Sequence, residues 1–166
     1  WDHSVPVDGK RVGVIGTGST AIQITSALVP RVEKFSLFQR TPQWIAPQEN
    51  AYYTDAEKES FRRDRVAFRK MADDLTRGFH ETFSNGVVDA KSDQMKNLEA
   101  TCRAHLESAV KDPVLREKLR PNYRAACKRL VMSADFYPAI QQPNAELVTD
   151  AIERIVHIAV VALPLP

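Results

Sequence analysis

The apolar segment Arg11-Val12-Gly13-Val14-Ile15 runs directly into Gly16-Thr17-Gly18-Ser19-Thr20-Ala21, and no other stretch of the chain restricts its fold as much. When a strand ends in GxGxx(G/A), the first glycine makes a tight turn and the second lets the backbone approach a pyrophosphate. The small third residue then lets the following helix pack closely on the strand. The helix that starts near Ser19 turns its free N–H groups and positive dipole end toward such an anion. The pattern therefore predicts a strand–turn–helix that binds a dinucleotide. A glycine-rich turn in some other α/β unit is the alternative.

The flanks agree with the first reading. Ala21, Ile22, Ile24, Ala27 and Leu28 recur at helical spacing, Pro30 closes the segment, and Lys34–Phe38 reads as a second short strand. Gln23, one turn into the helix, is a candidate to touch the pyrophosphate or a neighbouring strand. An NAD site carries a carboxylate about 20 residues past the glycines, where it accepts the ribose 2′-hydroxyl, whereas NADP needs cations there. This chain has Gln39-Arg40-Thr41 at that point. Arg40 can stack on the adenine or fork onto a 2′-phosphate, and the Thr41 hydroxyl can donate to that phosphate, so NADP(H) is preferred over NAD. Against this stands the reading of Arg40 as a solvated residue at a strand end.

The chain has 166 residues, enough for one ordinary domain with a core, and a formal net charge of +2 with 27% charged residues. A surface so nearly balanced offers no basic footprint for nucleic acid and none for an anionic membrane. Cys102 and Cys127 lie far apart, without a CxxC or a Cys/His cluster, which fits a reduced, cytoplasmic protein and argues against a dithiol reductase. His80 and His105 lack metal-ligand spacing, so no metal site is expected. The apolar run from Ile155 to Leu165 is too short to span a bilayer, and the first 15 residues do not read as a signal peptide. A start at Trp1 rather than at Met reads as a fragment.

Four stretches follow from the changes in character along the chain. Residues 1–50 form the nucleotide-binding start. Residues 51–120 read as a helical insertion, with a capping box at Thr54-Asp55-Ala56-Glu57 opening a helix toward Gly78, a second helix from Ser92 to about Val110, and a third opening at Asp112-Pro113. Residues 121–155 return to the sheet, with strand-like runs at Lys128–Ser133 and Ala145–Thr149 and a third from Ile152 that continues to Val161. Residues 156–166 form an atypical tail. The fold class is thus α/β: a partial Rossmann-like, doubly wound NADP-binding domain with an inserted helical subdomain.

Taken together, Trp1-Asp2, the run Gly9–Gln23, the run Phe38–Trp44 and Cys127-Lys128-Arg129 resemble the NADPH-binding part of class B flavoprotein monooxygenases. The likeness is greatest to Baeyer-Villiger monooxygenases of the cyclohexanone and hydroxyacetophenone type. The resemblance covers about residues 1–155, and Trp1-Asp2 would be the last two positions of the family fingerprint FxGxxxHxxxW(P/D). It implies that Arg40 and Thr41 hold the 2′-phosphate and that Lys128 adds a second cation there. For Arg129 it implies the catalytic role of stabilising an anionic flavin peroxide and orienting the nicotinamide. Read without the family, Lys128-Arg129 is a surface pair, and on a regular strand its two side chains would point to opposite faces.

The resemblance further implies FAD as a second cofactor, O₂ as co-substrate, and a ketone or soft heteroatom as the group oxygenated. A second GxGxxG for FAD and the first part of the fingerprint are missing from these residues, as is the Ala-Thr-Gly turn of a downstream strand. A stand-alone NADP-binding module or an inactive remnant is therefore the competing expectation. The nucleotide-contacting residues expected from all this are Gly16, Thr17, Gly18, Ser19, Thr20, Ala21, Gln23, Arg40, Thr41 and Lys128.

Overall fold

The structure, a computed structural model, describes residues 4–48, 51–156 and 159–163. Trp1-Asp2 of the fingerprint reading, and the ends of the tail, lie outside these. The chain divides into two compact units, Trp1–Gln48 with Cys102–Pro166, and Glu49–Thr101. No helix among the described residues is long and apolar enough to cross a membrane.

The first unit is built on β1 (Arg11–Ile15), α1 (Ser19–Leu28) and β2 (Lys34–Phe38), as the pattern of apolar residues and the glycine turn require. β1 and β2 are parallel, with Arg11 opposite Lys34 and Ile15 opposite Phe38. Parallel neighbours need a crossover, and α1 supplies it. A third strand, β5 (Ala145–Val148), adds to the far side of β2, so the sheet order is β1-β2-β5 and all three strands are parallel. The side chain of Asn144 donates to the carbonyls of Val29 and Val32, at 2.9 and 3.0 Å, and so ties the start of β5 to the turn between α1 and β2.

The core of this unit lies between the sheet and its helices. Phe35 and Leu37 from β2 are fully buried, as are Ile22 and Val29 from the α1 region, against Leu106, Val110 and Ile140. Ala21, the small third position of the glycine motif, is buried among them. Gly13 in β1 lies under the ring of Phe38, and a Cβ there would come within 3.2 Å of it.

The same unit holds α6 (Pro113–Lys118), opened by Asp112, whose carboxylate accepts from the Val114 N–H at 2.8 Å, and α7 (Phe136–Ile140), which leads into β5. Two departures from the sequence reading occur here. The run Lys128–Ser133 was expected to be a strand, yet only β4 (Val131–Met132) forms, paired in parallel with the equally short β3 (Ile45–Ala46). Residues 128–130 cannot extend that ladder. Ala126 takes a left-handed φ of 62°, and the Arg129 carbonyl is claimed by a side chain, Gln43 Nε2, at 2.9 Å. The nearly continuous apolar run from Ile152 to Val161 is not one strand but two, β6 (Ala151–Val156) and β7 (Ala159–Leu163), forming an antiparallel hairpin. A run so rich in apolar residues, with no glycine or proline in it, gives no clear sign of where it reverses.

The second unit is helical. The predicted capping box at Thr54 is present, with Glu57 N–H donating to Thr54 Oγ1 and the Thr54 N–H donating to Glu57 Oε2. The single helix expected up to Gly78 is two, α2 (Asp55–Arg63) and α3 (Arg65–Phe79), because Asp64 leaves the helical conformation and its carboxylate caps the next helix through the Ala67 N–H at 2.9 Å. A π-helical turn at His80–Ser84 and the short α4 (Asn85–Val88) follow, and α5 (Asp93–Ala109) begins in this unit.

Candidate functional site

At the carboxyl ends of β1, β2 and β5 the chain encloses a cavity of about 750 Å³. Ligands in open α/β sheets bind at this end of the strands. The glycine turn forms one wall. Gly16 has φ +106°, a conformation that L side chains rarely adopt, and its N–H donates to the Phe38 carbonyl at 2.9 Å, joining the ends of β1 and β2. Thr17 Oγ1 donates to the Thr41 carbonyl at 2.7 Å, so the turn is also tied to the residues that follow β2.

Gly18 is the N-cap of α1, and a Cβ placed there would meet nothing within 4 Å. No side chain caps this helix and no acidic residue lies in its first turn. The first N–H groups of α1 are thus left for a ligand, with the positive end of the helix dipole behind them. Ser19, half-buried, and Thr20, exposed, begin the helix. Ala21 packs inward and Gln23 is exposed; neither it nor Ser19, Thr20 and Ala21 lines the cavity.

Two cations line the cavity as well. Arg40 and Thr41, just past β2, line the cavity together with Lys128. Arg40 is exposed and among the described residues has no hydrogen-bond or ion-pair partner, whereas the neighbouring Gln39 turns inward and donates to the Lys118 carbonyl at 2.7 Å. Lys128 Nζ lies 4.6 Å from the centre of the Tyr123 ring. Arg129 is exposed and is not among the residues lining this cavity. The geometric question raised by Lys128-Arg129 has a simple answer, since the pair lies ahead of β4 on irregular backbone.

A set of hydrogen bonds fixes that backbone. Tyr123 Oη donates to Gln43 Oε1 at 2.6 Å, Gln43 Nε2 donates to the Arg129 carbonyl at 2.9 Å, and Trp44 Nε1 donates to the Tyr123 carbonyl at 2.8 Å. Burial pushes the Tyr123 phenol above its ordinary range, so it remains a proton donor at neutral pH. Arg103 lies over the Trp44 ring at 5.4 Å.

Sequence reasoning missed Gln43 and the passage from β5 into β6, where Thr149, Asp150, Ala151 and Ile152 line the cavity. A strand had been expected at Ala145–Thr149, and the rule for carboxyl ends would have pointed to Asp150. No local signal marks Gln43, whose partners lie about 80 residues away.

Known proteins similar in sequence to this chain include monooxygenases. The chain is 35% identical over 155 residues to a Baeyer-Villiger monooxygenase of Streptomyces coelicolor, a match that covers 93% of this chain and 30% of that protein. This is a Baeyer-Villiger monooxygenase-like chain. An FAD-binding monooxygenase of Aspergillus niger is 32% identical over 157 residues, covering 93% of this chain and 26% of its own length. Among solved structures, cyclohexanone monooxygenase from Rhodococcus sp. Phi1 bound to NADP⁺ superposes with a TM-score of 0.80 at 26% identity, over 98% of this chain and 37% of that one. No family model matches the chain. The Baeyer-Villiger-like chain therefore spans about a third of the length of the proteins it matches.

Proposed function

We propose that this chain is the NADP(H)-binding part of an FAD-dependent monooxygenase, one that uses NADPH and O₂ to oxygenate a ketone or a soft heteroatom. The observation that carries the reading is the meeting of a glycine turn with two cations, Arg40 and Lys128, around one cavity at the carboxyl ends of parallel strands. The site has the chemistry that a 2′-phosphorylated dinucleotide needs. The uncapped start of α1 suits a pyrophosphate, the space beside Gly18 leaves its backbone approachable, and a carboxylate is absent from the end of β2.

In this reading the first unit is Rossmann-like, and residues Glu49–Thr101 are an insertion into it. Arg40 would hold the 2′-phosphate through its planar fork, Thr41 through its hydroxyl, and Lys128 as a compact point charge. Gly16, Thr17 and Gly18 would carry the pyrophosphate, with Ser19 and Thr20 at the helix start and Ala21 keeping the helix close to the strand. Gln23 is the outermost of these candidates. Arg129 is assigned to the flavin side of the nicotinamide, where a permanently charged guanidinium would stabilise negative charge.

The chemistry supplied by the bound cofactors is hydride transfer from NADPH and activation of O₂ at the flavin. The chain's own residues bind and orient one of those partners. The wide sequence separation of Cys102 and Cys127, without a CxxC, is what the proposal of a reducing, cytoplasmic setting rests on.

Calorimetric titration with NADP⁺ and with NAD⁺ tests the reading. NADP⁺ is expected to bind at least about tenfold more tightly, as a charge-assisted contact to the 2′-phosphate requires. Equal affinities would remove the role given to Arg40, and no binding to either would favour an inactive remnant.

A further inference from the structure

The cation at Lys128 does not owe its place to regular secondary structure. It lies between α6 and β4, two residues after the left-handed Ala126, on backbone outside any helix or strand. What holds this stretch is side-chain chemistry from two directions. The Gln43 amide is used at both ends, its oxygen accepting from Tyr123 Oη and its nitrogen donating to the Arg129 carbonyl, so its orientation is set and it clasps residues on both sides of Lys128. Trp44 adds a bond to the Tyr123 carbonyl, which anchors the backbone that carries the ring. The face of that ring lies 4.6 Å from Lys128 Nζ, within the range at which an ammonium is attracted to an aromatic ring.

Gln43 and Lys128 both line the cavity, and so does Arg40, three residues before Gln43. We infer that Tyr123 and Gln43 are positioning residues which hold Lys128 toward Arg40, and that they thereby set the preference for a 2′-phosphorylated dinucleotide. The inference rests on the NADP(H) reading of the cavity. Neither residue needs to touch the nucleotide phosphate. The Gln43 clasp fixes the backbone at Arg129, and the Tyr123 ring limits where the ammonium of Lys128 can go.

The test is the ratio of NADP⁺ to NAD⁺ affinity, measured by calorimetry on the chain and on Tyr123→Leu, Tyr123→Phe, Gln43→Met and Lys128→Met. Tyr123→Leu is expected to lower the ratio about tenfold, and Tyr123→Phe, which keeps the ring but loses the bond to Gln43, about threefold. Gln43→Met is expected to act like Tyr123→Phe. In a Lys128→Met background, Tyr123→Leu should change the ratio no further, because positioning residues have nothing left to position.

A merely structural role would lower both affinities together and leave the ratio intact, and that result would overturn the inference. So would an undiminished effect of Tyr123→Leu in the Lys128→Met background. If Tyr123→Leu does not fold, the milder Tyr123→Phe and Gln43→Met pair decides by the same ratio. A wild-type chain without preference for NADP⁺ would overturn the underlying reading of the cavity, and this inference with it. A wild-type preference left untouched by all three variants at Tyr123 and Gln43 would overturn the inference alone.

Discussion

The two units hold themselves together by different means. In the unit that carries the cavity, apolar side chains are removed from water, with Phe35 and Leu37 at 0% exposure, and polar side chains bond to backbone far away in sequence, as Gln39 does to Lys118 and Trp44 to Tyr123. In the helical unit ion pairs join near neighbours in sequence. Lys58 pairs with Asp55, Arg63 with Glu59, Lys70 with Asp74 and Lys96 with Asp93, each three or four residues apart. Several of its large apolar residues are exposed, Val66 at 82% and Leu75 at 64%. Exposed helical ion pairs are screened by water and salt, so the helical unit draws little stability from them. The cavity needs residues from three strand ends and two loops at fixed positions, and it sits in the unit whose contacts are non-local.

The largest expected effect tests that contrast directly. Phe35→Ala should cost about 3–5 kcal/mol, since it removes a fully buried ring from β2 and leaves a cavity. Leu75→Ala in α3 should stay within about 0.5 kcal/mol, the usual range for surface positions. Urea unfolding of both variants measures the difference. Comparable losses would mean that Leu75 is covered in the folded protein and that the contrast is false.

The contrast also explains which parts could be read from sequence. β1, α1 and β2 follow from a motif whose constraints all lie within about thirty residues: a glycine that needs positive φ, an apolar helix face and a short strand. The cations Arg40 and Lys128 were found from the end of β2 and from family likeness, and the fold brings both to one cavity. The link between Gln43 and Tyr123 could not be seen, because its partners are 80 residues apart and neither belongs to a periodic element. β3 and β4, two residues each, are too short to show alternation. The break at Asp64 carries no glycine or proline, only an aspartate that is equally at home on a charged helix face.

Within the cavity unit, Arg40→Ala separates recognition from folding. It should weaken NADP⁺ about ten- to a hundredfold, the equivalent of about 1.5–3 kcal/mol for a hydrogen bond to an ionised group, and leave NAD⁺ and urea stability unchanged. Gly16→Ala should do the reverse in part. A side chain at φ +106° costs about 1–2 kcal/mol of backbone strain, so stability falls first and both dinucleotides weaken together. Paired calorimetry and urea titrations distinguish the two patterns, and a selective loss of NADP⁺ in Gly16→Ala would contradict the division of labour between glycine turn and cation wall.

The smallest effect concerns pH, where the units should differ in the window over which they weaken. In the helical unit, hydrogen bonds from Thr54, Lys70 and Lys96 hold Glu57, Asp74 and Asp93 below the usual carboxylate range. Their contribution is complete above about pH 4, the ordinary carboxylate value, and is lost as pH falls through the lowered folded values. These groups are exposed, so added salt should blunt the effect. Asp8 and Glu107 give the cavity unit a similar acid dependence, so the discriminating window lies nearer neutrality. There burial pushes His105 below its ordinary value; its Nε2 is buried without a partner and its ring lies 5.0 Å from that of Tyr137. A histidine held neutral in the fold protonates first in the unfolded chain, so stability is full above about pH 6.5 and declines as pH falls through the lowered folded value. Thermal melts at pH 7.5 and 5.5 should show a drop that His105→Leu reduces, since the leucine removes the titrating group. An unchanged drop in that variant would assign the near-neutral dependence to another histidine, and the two units would then share one acid response.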